Sequence, residues 1–197
     1  MISRMAKKSS KYHQIVHTAK DLFWKHGISR VSVEEICQNA GASKMTFYRK
    51  FENKTELAKT VLAAEFEAGM AQYTQIMNEQ ISFQEKVARV LILKFEGSKE
   101  ISQELIRDIF MNQEAALIEF INTWKKRSMD RFVSDMIQAQ EHGWIRRDVK
   151  PAFMMSFLNK AQEIVLDEHL LKMYDSPQQL IMEITHFFFY GVASKGK

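Results

Sequence analysis

Residues 32–51 carry two short helical patterns separated only by Gly41-Ala42-Ser43. Ser32 precedes VEEICQNA, with Glu35 three positions on, the spacing of a capping box. Gly41 ends that helix, and Ser43 can cap a second, KMTFYRKF. Two helices on a tight Gly-containing turn match the helix-turn-helix unit. In that unit the first helix braces against the DNA backbone and the second offers its N-terminal residues to the major groove. Ile36, Ala40, Phe47 and Phe51 are spaced to pack inward, leaving Lys44, Met45, Thr46, Tyr48, Arg49 and Lys50 on the outside. Phosphates accept from Lys, Tyr and helix N-termini, and base edges pair with Arg, Lys and Thr. Spacing taken by itself also fits an ordinary helix corner with a solvated basic face.

The charge is placed to match the first reading. The chain has 28 Lys and Arg against 24 Asp and Glu, yet residues 1–60 hold twelve of the cations and five of the anions. A basic first third on a mildly acidic remainder is the pattern of a polyanion-binding module joined to something else.

The rest of the chain reads as helix. Seven Gly and two Pro are too few for an all-β chain with a turn every ten residues or so. Ile15, Ala19, Leu22 and Phe23 follow helical spacing up to Gly27, a C-terminal stop. Asn53 can cap a long helix that runs through Leu57, Val61 and Ala64 to about Met77, with Gly69 as a weak point. Ser82 with Glu85 opens another, ending near Gly97, and Ser102 a short one to about Met111. Residues 113–142 form a long helix closed by His142-Gly143. Pro151 begins a helix over 151–174, and Ser176-Pro177 begins the last. One Cys excludes an internal disulfide framework. The most apolar stretch, 181–193, is interrupted by Glu183 and His186, so no membrane span is expected. MISRMAKKSSK is basic but is followed by no apolar region, which argues against a signal peptide and for a cytoplasmic protein.

The stretch IVHTAKDLFWKHGISRVSVEEICQNAGASKMTFYRKFENKTELAKTVL resembles the DNA-binding region of the TetR (tetracycline-repressor) family of bacterial transcription regulators. The matching features are AxxLFxxxG over 19–27, Ser32-Val33 opening the second helix and the turn Ala40-Gly41-Ala42-Ser43. They continue in Thr46-Phe47-Tyr48-x-x-Phe51-x-x-Lys54-x-x-Leu57. Met45 departs from the pattern, standing where many members carry Gly or Pro, so base preference cannot be carried over.

The resemblance implies an all-α chain of about nine helices. Residues 1–55 would form a three-helix helix-turn-helix head behind a basic tail (1–10), and residues 56–197 a helical effector-binding and dimerisation domain. It gives Ser32 and Ser43 phosphate contacts through side chain and backbone N–H groups. Thr46 and Tyr48 match positions that touch the backbone or a base edge. Lys44, Met45 and Arg49 become the sequence readers with Lys50 beside them, and Lys54 a phosphate contact. For Arg4, Lys7, Lys8 and Lys11 two readings stand, a minor-groove arm and a solubilising tail, the second being preferred.

Residues 151–174 and the last helix are apolar nearly all round, and such helices must be buried on more than one side. Phe157, Leu158, Val165, Ile184, Phe187 and Phe188 are therefore read as a dimer interface, in agreement with the family's four-helix arrangement; a buried hairpin is the other reading. Twelve Met and fourteen Phe supply soft, aromatic lining for a pocket. Met70, Tyr73, Met77, Phe110, Met111, Phe120 and Trp124 lie in the helices that line it in the family. Few charged groups fall on inward faces, which favours an apolar or aromatic effector.

Catalysis finds little support. His13 and His17, at i, i+4, flank an apolar stripe and read as solvated surface; Cys37 reads as packed inside. No Ser/His/Asp order, phosphate loop or HExxH is present. The expectation is a homodimeric repressor, without cofactor or membrane partner, released from a pseudo-palindromic operator by a small effector. An architectural DNA-binding protein and an all-helical enzyme are the rivals.

Overall fold

The computed structural model describes residues 10–111 and 114–193; Arg4, Lys7 and Lys8 of the basic tail lie outside them. Among the described residues ten helices follow one another: α1 (Lys11–His26), α2 (Val33–Asn39), α3 (Lys44–Tyr48), α4 (Lys54–Asn78), α5 (Phe83–Gly97), α6 (Gln103–Met111), α7 (Ala115–Glu141), α8 (Pro151–Val165), α9 (Glu168–Leu171) and α10 (Pro177–Val192). Among the described residues the one β pairing is an isolated antiparallel bridge between Ile145 and Ala193.

The helix starts follow from side-chain chemistry. Each helix begins with amide N–H groups that lack an intrahelical partner. Ser32 Oγ accepts from Glu35 N at 3.1 Å, Ser43 Oγ from Thr46 N at 3.1 Å, Asn53 Oδ1 from Glu56 N at 2.9 Å and Ser82 Oγ from Glu85 N at 3.2 Å. Ser102 does the same for Leu105 N at 3.1 Å. Gly27 ends α1 at φ +79°, a conformation open to glycine at little cost.

One boundary departs from expectation. Residues 151–174 are not a single helix, because α8 ends at Val165 and Asp167 caps α9, accepting from His169 N at 2.8 Å and Leu170 N at 3.1 Å. An Asp satisfies two amides of a new helix better than it continues an old one.

Two hydrophobic clusters organise the molecule. The first gathers Ile15, Phe23, Ile36, Phe47 and Phe51 with Leu57, Val61 and Leu62 of α4, and extends to Leu105, Leu117 and Ile121 of α6 and α7. The second lies at the far end and holds Phe83, Met136, Ile145, Met154, Phe188, Phe189 and Val192. Helix α4, with 25 residues, is about 37 Å long and runs from one cluster to the other. Helix α7 does the same, from Leu117 to Ala139. No described helix is long and apolar enough to cross a membrane.

Candidate nucleic-acid interface and the seam behind it

The α2–α3 pair is held from below. Ile36 and Phe47 are fully buried and Ala40 and Phe51 nearly so, as their spacing requires. Tyr12 of α1 stacks on Phe51 at 5.3 Å. Gly41 makes the turn at φ +57°, and Lys11 Nζ donates to its carbonyl oxygen at 2.7 Å. Lys11 is thus the first residue of α1 and a clamp on the turn, not part of a tail.

This packing turns one face of α3 outward. Met45 is 79% exposed and Tyr48 56%, with Lys44, Arg49 and Lys50 exposed beside them and Thr46 half-buried. Lys44 pairs with Glu34 of α2 at 2.9 Å, and that hydrogen bond raises its pKa. Arg49 and Lys50 make no ion pair among the described residues, which leaves two cations facing solvent. Ser43 Oγ also lies 3.0 Å from Thr46 Oγ1, so the two hydroxyls brace the first turn of the exposed helix. Ser32, at the head of α2, stands exposed as well.

Lys54 does other work than the phosphate contact expected of it. Its ammonium donates to the carbonyls of Ile28 at 2.7 Å, Ser29 at 3.1 Å and Val31 at 2.8 Å. An ammonium has three donors, and all three are spent on the α1–α2 connection. Burial lowers its pKa, with Asp108 and Glu114 acting in the opposite sense. The same connection is gripped from α6, where Asp108 accepts from Ser29 N and Oγ. Nearby, buried Thr55 donates to Glu114 at 2.5 Å. His13 and His17 stay on the surface, bonded to Ser10 and Asp21, and Cys37 is buried, which pushes its thiol pKa up.

Of the residues expected to line a pocket, two come together. Tyr73 and Met77 of α4 face Phe83, Val87 and Val90 of α5, Phe132 and Met136 of α7 and Phe189 of α10 across an apolar seam. The seam is closed, with no space for a water molecule. The others lie elsewhere. Phe120 and Trp124 pack with Phe66 nearer the head, Phe110 lies under the Lys125 ammonium at 4.1 Å, Met111 is exposed, and Met70 is half-buried on α4 outside the seam. Helix α7 turns its Phe120–Trp124 stretch to the first cluster and its Phe132–Met136 stretch to the second.

Behind the seam sits a charge that was not expected on an inward face. Asp135 is 6% exposed and accepts from Arg131 Nε at 2.8 Å. The Tyr73 hydroxyl is sealed beside it. Burial, with the Asp135 charge second, drives that phenol's pKa well up, so it stays protonated. The signal for Asp135 was in the sequence: Arg131 and Asp135 stand at i, i+4, and Asp135 adjoins the inward pair Phe132 and Met136.

The expected dimer face divides. Phe188 is 5% exposed and Val165 is also buried; both belong to the interior of the chain itself. Phe157, Leu158 and Ile184 are half-buried, whereas Phe187 is 69% exposed and Tyr190 80%. Adjacent residues on a helix face about 100° apart, and here Phe188 turns into the second cluster while Phe187 turns outward. Phe187 stacks on Phe157 at 6.0 Å, which joins α8 and α10 in one surface with exposed Phe153.

Residues 15–61, the head and its junction with α4, match the model of bacterial regulatory proteins, tetR family. That stretch covers the head and the start of α4 and resembles the DNA-binding region of the family. Solved structures share the fold along nearly the whole chain at low sequence identity. The fatty acid degradation regulator FadR from Bacillus halodurans is 18% identical with a TM-score of 0.71, over 94% of this chain and 97% of its own. A TetR-family transcriptional regulator from Rhodococcus sp. is 17% identical at 0.68, over 93% and 98%. A transcriptional regulator from Saccharomonospora viridis in complex with choline is 14% identical at 0.73, over 93% and 97%. No curated protein matches the chain by sequence.

Proposed function

We propose that this chain is a TetR-type regulator, a homodimeric, operator-binding repressor released by a small, apolar or aromatic effector. The observation that carries the reading is the outward face of α3. Met45 and Tyr48 project from a five-residue helix, and Arg49 and Lys50 from the turn that follows it; the helix is capped by Ser43 and fixed from beneath by Phe47 and Lys11. A rigid, exposed, basic helix of this size fits a major groove. Lys44, Met45 and Arg49 are assigned to base edges, and Ser32, Ser43, Thr46, Tyr48 and Lys50 to backbone or adjoining contacts. Two such heads, paired through the exposed face of α8 and α10, would read half-sites about one helical turn apart.

The closed seam favours a second reading, an effector-independent DNA-binding protein.

Footprinting the purified protein on DNA flanking its own gene tests the reading. Protection of a two-fold symmetric site, with affinity falling steeply as salt rises, is expected. Uniform, sequence-independent protection would favour the architectural reading.

A further inference from the structure

We propose that Met45 selects a thymine in each half-site, by laying its side chain against the thymine C5-methyl in the major groove. The inference rests on the reading of the chain as an operator-binding regulator and names one base that its operator must present.

The geometry of α3 singles Met45 out. An α-helix turns about 100° per residue, so with Phe47 fully buried beneath the helix, Met45 and Arg49 point within about 20° of the opposite direction. The two share that outer face one turn apart, and Arg49 N donates to Met45 O at 3.1 Å. Tyr48 leaves at about 100° from Phe47, and its ring meets the Phe47 ring edge-on at 5.2 Å, which ties it to the side of the helix. Met45 is thus an exposed apolar side chain at the point of α3 farthest from the core. The exposed cations Arg49 and Lys50 beside it commit this surface to a polyanion.

The groove limits what an apolar tip can meet. A helix enters the major groove, about 12 Å wide, and not the minor groove, about 6 Å wide. Of the four bases, thymine alone presents a methyl group there. Set against guanine or cytosine, Met45 would strip water from donors and acceptors and return no comparable hydrogen bond, a thioether being a weak acceptor. Set against thymine, it covers a methyl with a soft, unbranched chain that adapts to the contact. The cations supply attraction to any sequence, and Met45 supplies a choice of base.

Deoxyuridine differs from thymidine by that methyl alone. On the operator found by footprinting, each thymidine is replaced in turn by deoxyuridine, and the affinity of the full chain is measured by fluorescence anisotropy at one salt concentration. Wild type should lose about fourfold at one position in each half-site, the worth of one buried methyl. Met45→Ala should bind the thymidine and deoxyuridine operators equally at that position, with an unchanged melt. Met45→Leu, still apolar, should keep the preference. An operator with no methyl-sensitive thymidine overturns the proposal, as does a sensitive position whose loss persists undiminished in Met45→Ala. If no symmetric site is protected, the regulator reading falls and the proposal with it; a protected site without the methyl effect removes only the role of Met45.

Discussion

Asp108 on α6 accepts two hydrogen bonds from Ser29, one from its backbone amide at 2.9 Å and one from its hydroxyl at 2.5 Å, across 79 residues of sequence. Ser102 N adds a backbone bond to Trp24 O at 3.0 Å, so α6 is fastened to the head at two points. The head is therefore mounted on α6 as well as on α4. An effector that shifted either helix would re-aim α3, and coupling of about 1–3 kcal/mol would loosen operator binding roughly 5- to 150-fold.

Asp108→Ala is expected to leave the unliganded protein folded while removing part of that coupling. Loss of the pair should cost about 1 kcal/mol, or about 2–4 °C in melting temperature. The change in operator affinity on adding an effector should shrink by more than the basal affinity does. Equal loss in both would limit Asp108 to a structural tie.

Gly27→Ala should be worse than Asp108→Ala. A Cβ there would come within 2.7 Å of Asp108 Oδ2 and 2.9 Å of Glu104 Cβ, at a φ of +79° that side chains rarely adopt. Gly69→Ala meets nothing within 4 Å and sits mid-helix, so it should stabilise α4 by about 0.5–1 kcal/mol. Thermal melts of the pair check both signs.

Lys54 and Arg49 separate structural from DNA-facing cations. Lys54→Ala leaves three carbonyls of the α1–α2 connection without their donor and should cost about 1–3 kcal/mol of stability. Its salt slope for operator binding should match wild type. Arg49→Ala should leave the melt unchanged and alter either the preferred base or the slope, the latter by about one unit. A flattened slope in Lys54→Ala would restore its phosphate role.

Phe187 and Phe188 should behave oppositely. Phe187→Asp, on the exposed face, is expected to give a folded monomer by light scattering. Phe188→Ala opens a cavity in the second cluster and should cost about 3–5 kcal/mol in a chemical melt. A stable dimer of the Phe187→Asp protein would move the subunit interface away from α10.

The α7–α8 connection offers a pH test. The Arg146 guanidinium hydrogen-bonds to Asp148 and holds its carboxyl at about 2, below the ordinary 3.8. Arg146 N also donates to Val192 O at 3.1 Å, tying the connection to the end of α10. A depressed carboxyl pKa contributes stability above its ordinary value and loses it as pH falls. The melting-temperature gap between wild type and Asp148→Asn should thus close as pH drops from about 4 to about 2.

What the sequence made legible was local. Capping serines, Gly27 and the inward spacing of Ile36, Ala40, Phe47 and Phe51 act within a turn or two, and the structure follows them closely. Lys54 and Lys11 escaped because their partners are carbonyls 23 to 30 residues away, and a carbonyl leaves no mark in residue identity. Apolarity all round did not say which face of α10 meets this chain and which meets solvent. Asp135 was hidden by the habit of placing charge outside, although Arg131 four residues earlier marked its companion.

The sharing of α4 and α7 between both clusters bears on how the protein can be taken apart. Leu57, Val61 and Leu62 close the head's interior only where Leu105, Leu117 and Ile121 meet them. A graft of residues 10–62 onto a foreign effector domain would carry those side chains to the surface as a sticky, half-made core. The reading head is therefore not a portable cassette. Hybrid regulators built from this chain would need to keep α6 and the first half of α7 with it, and the natural place for a seam between parents lies beyond Ile121.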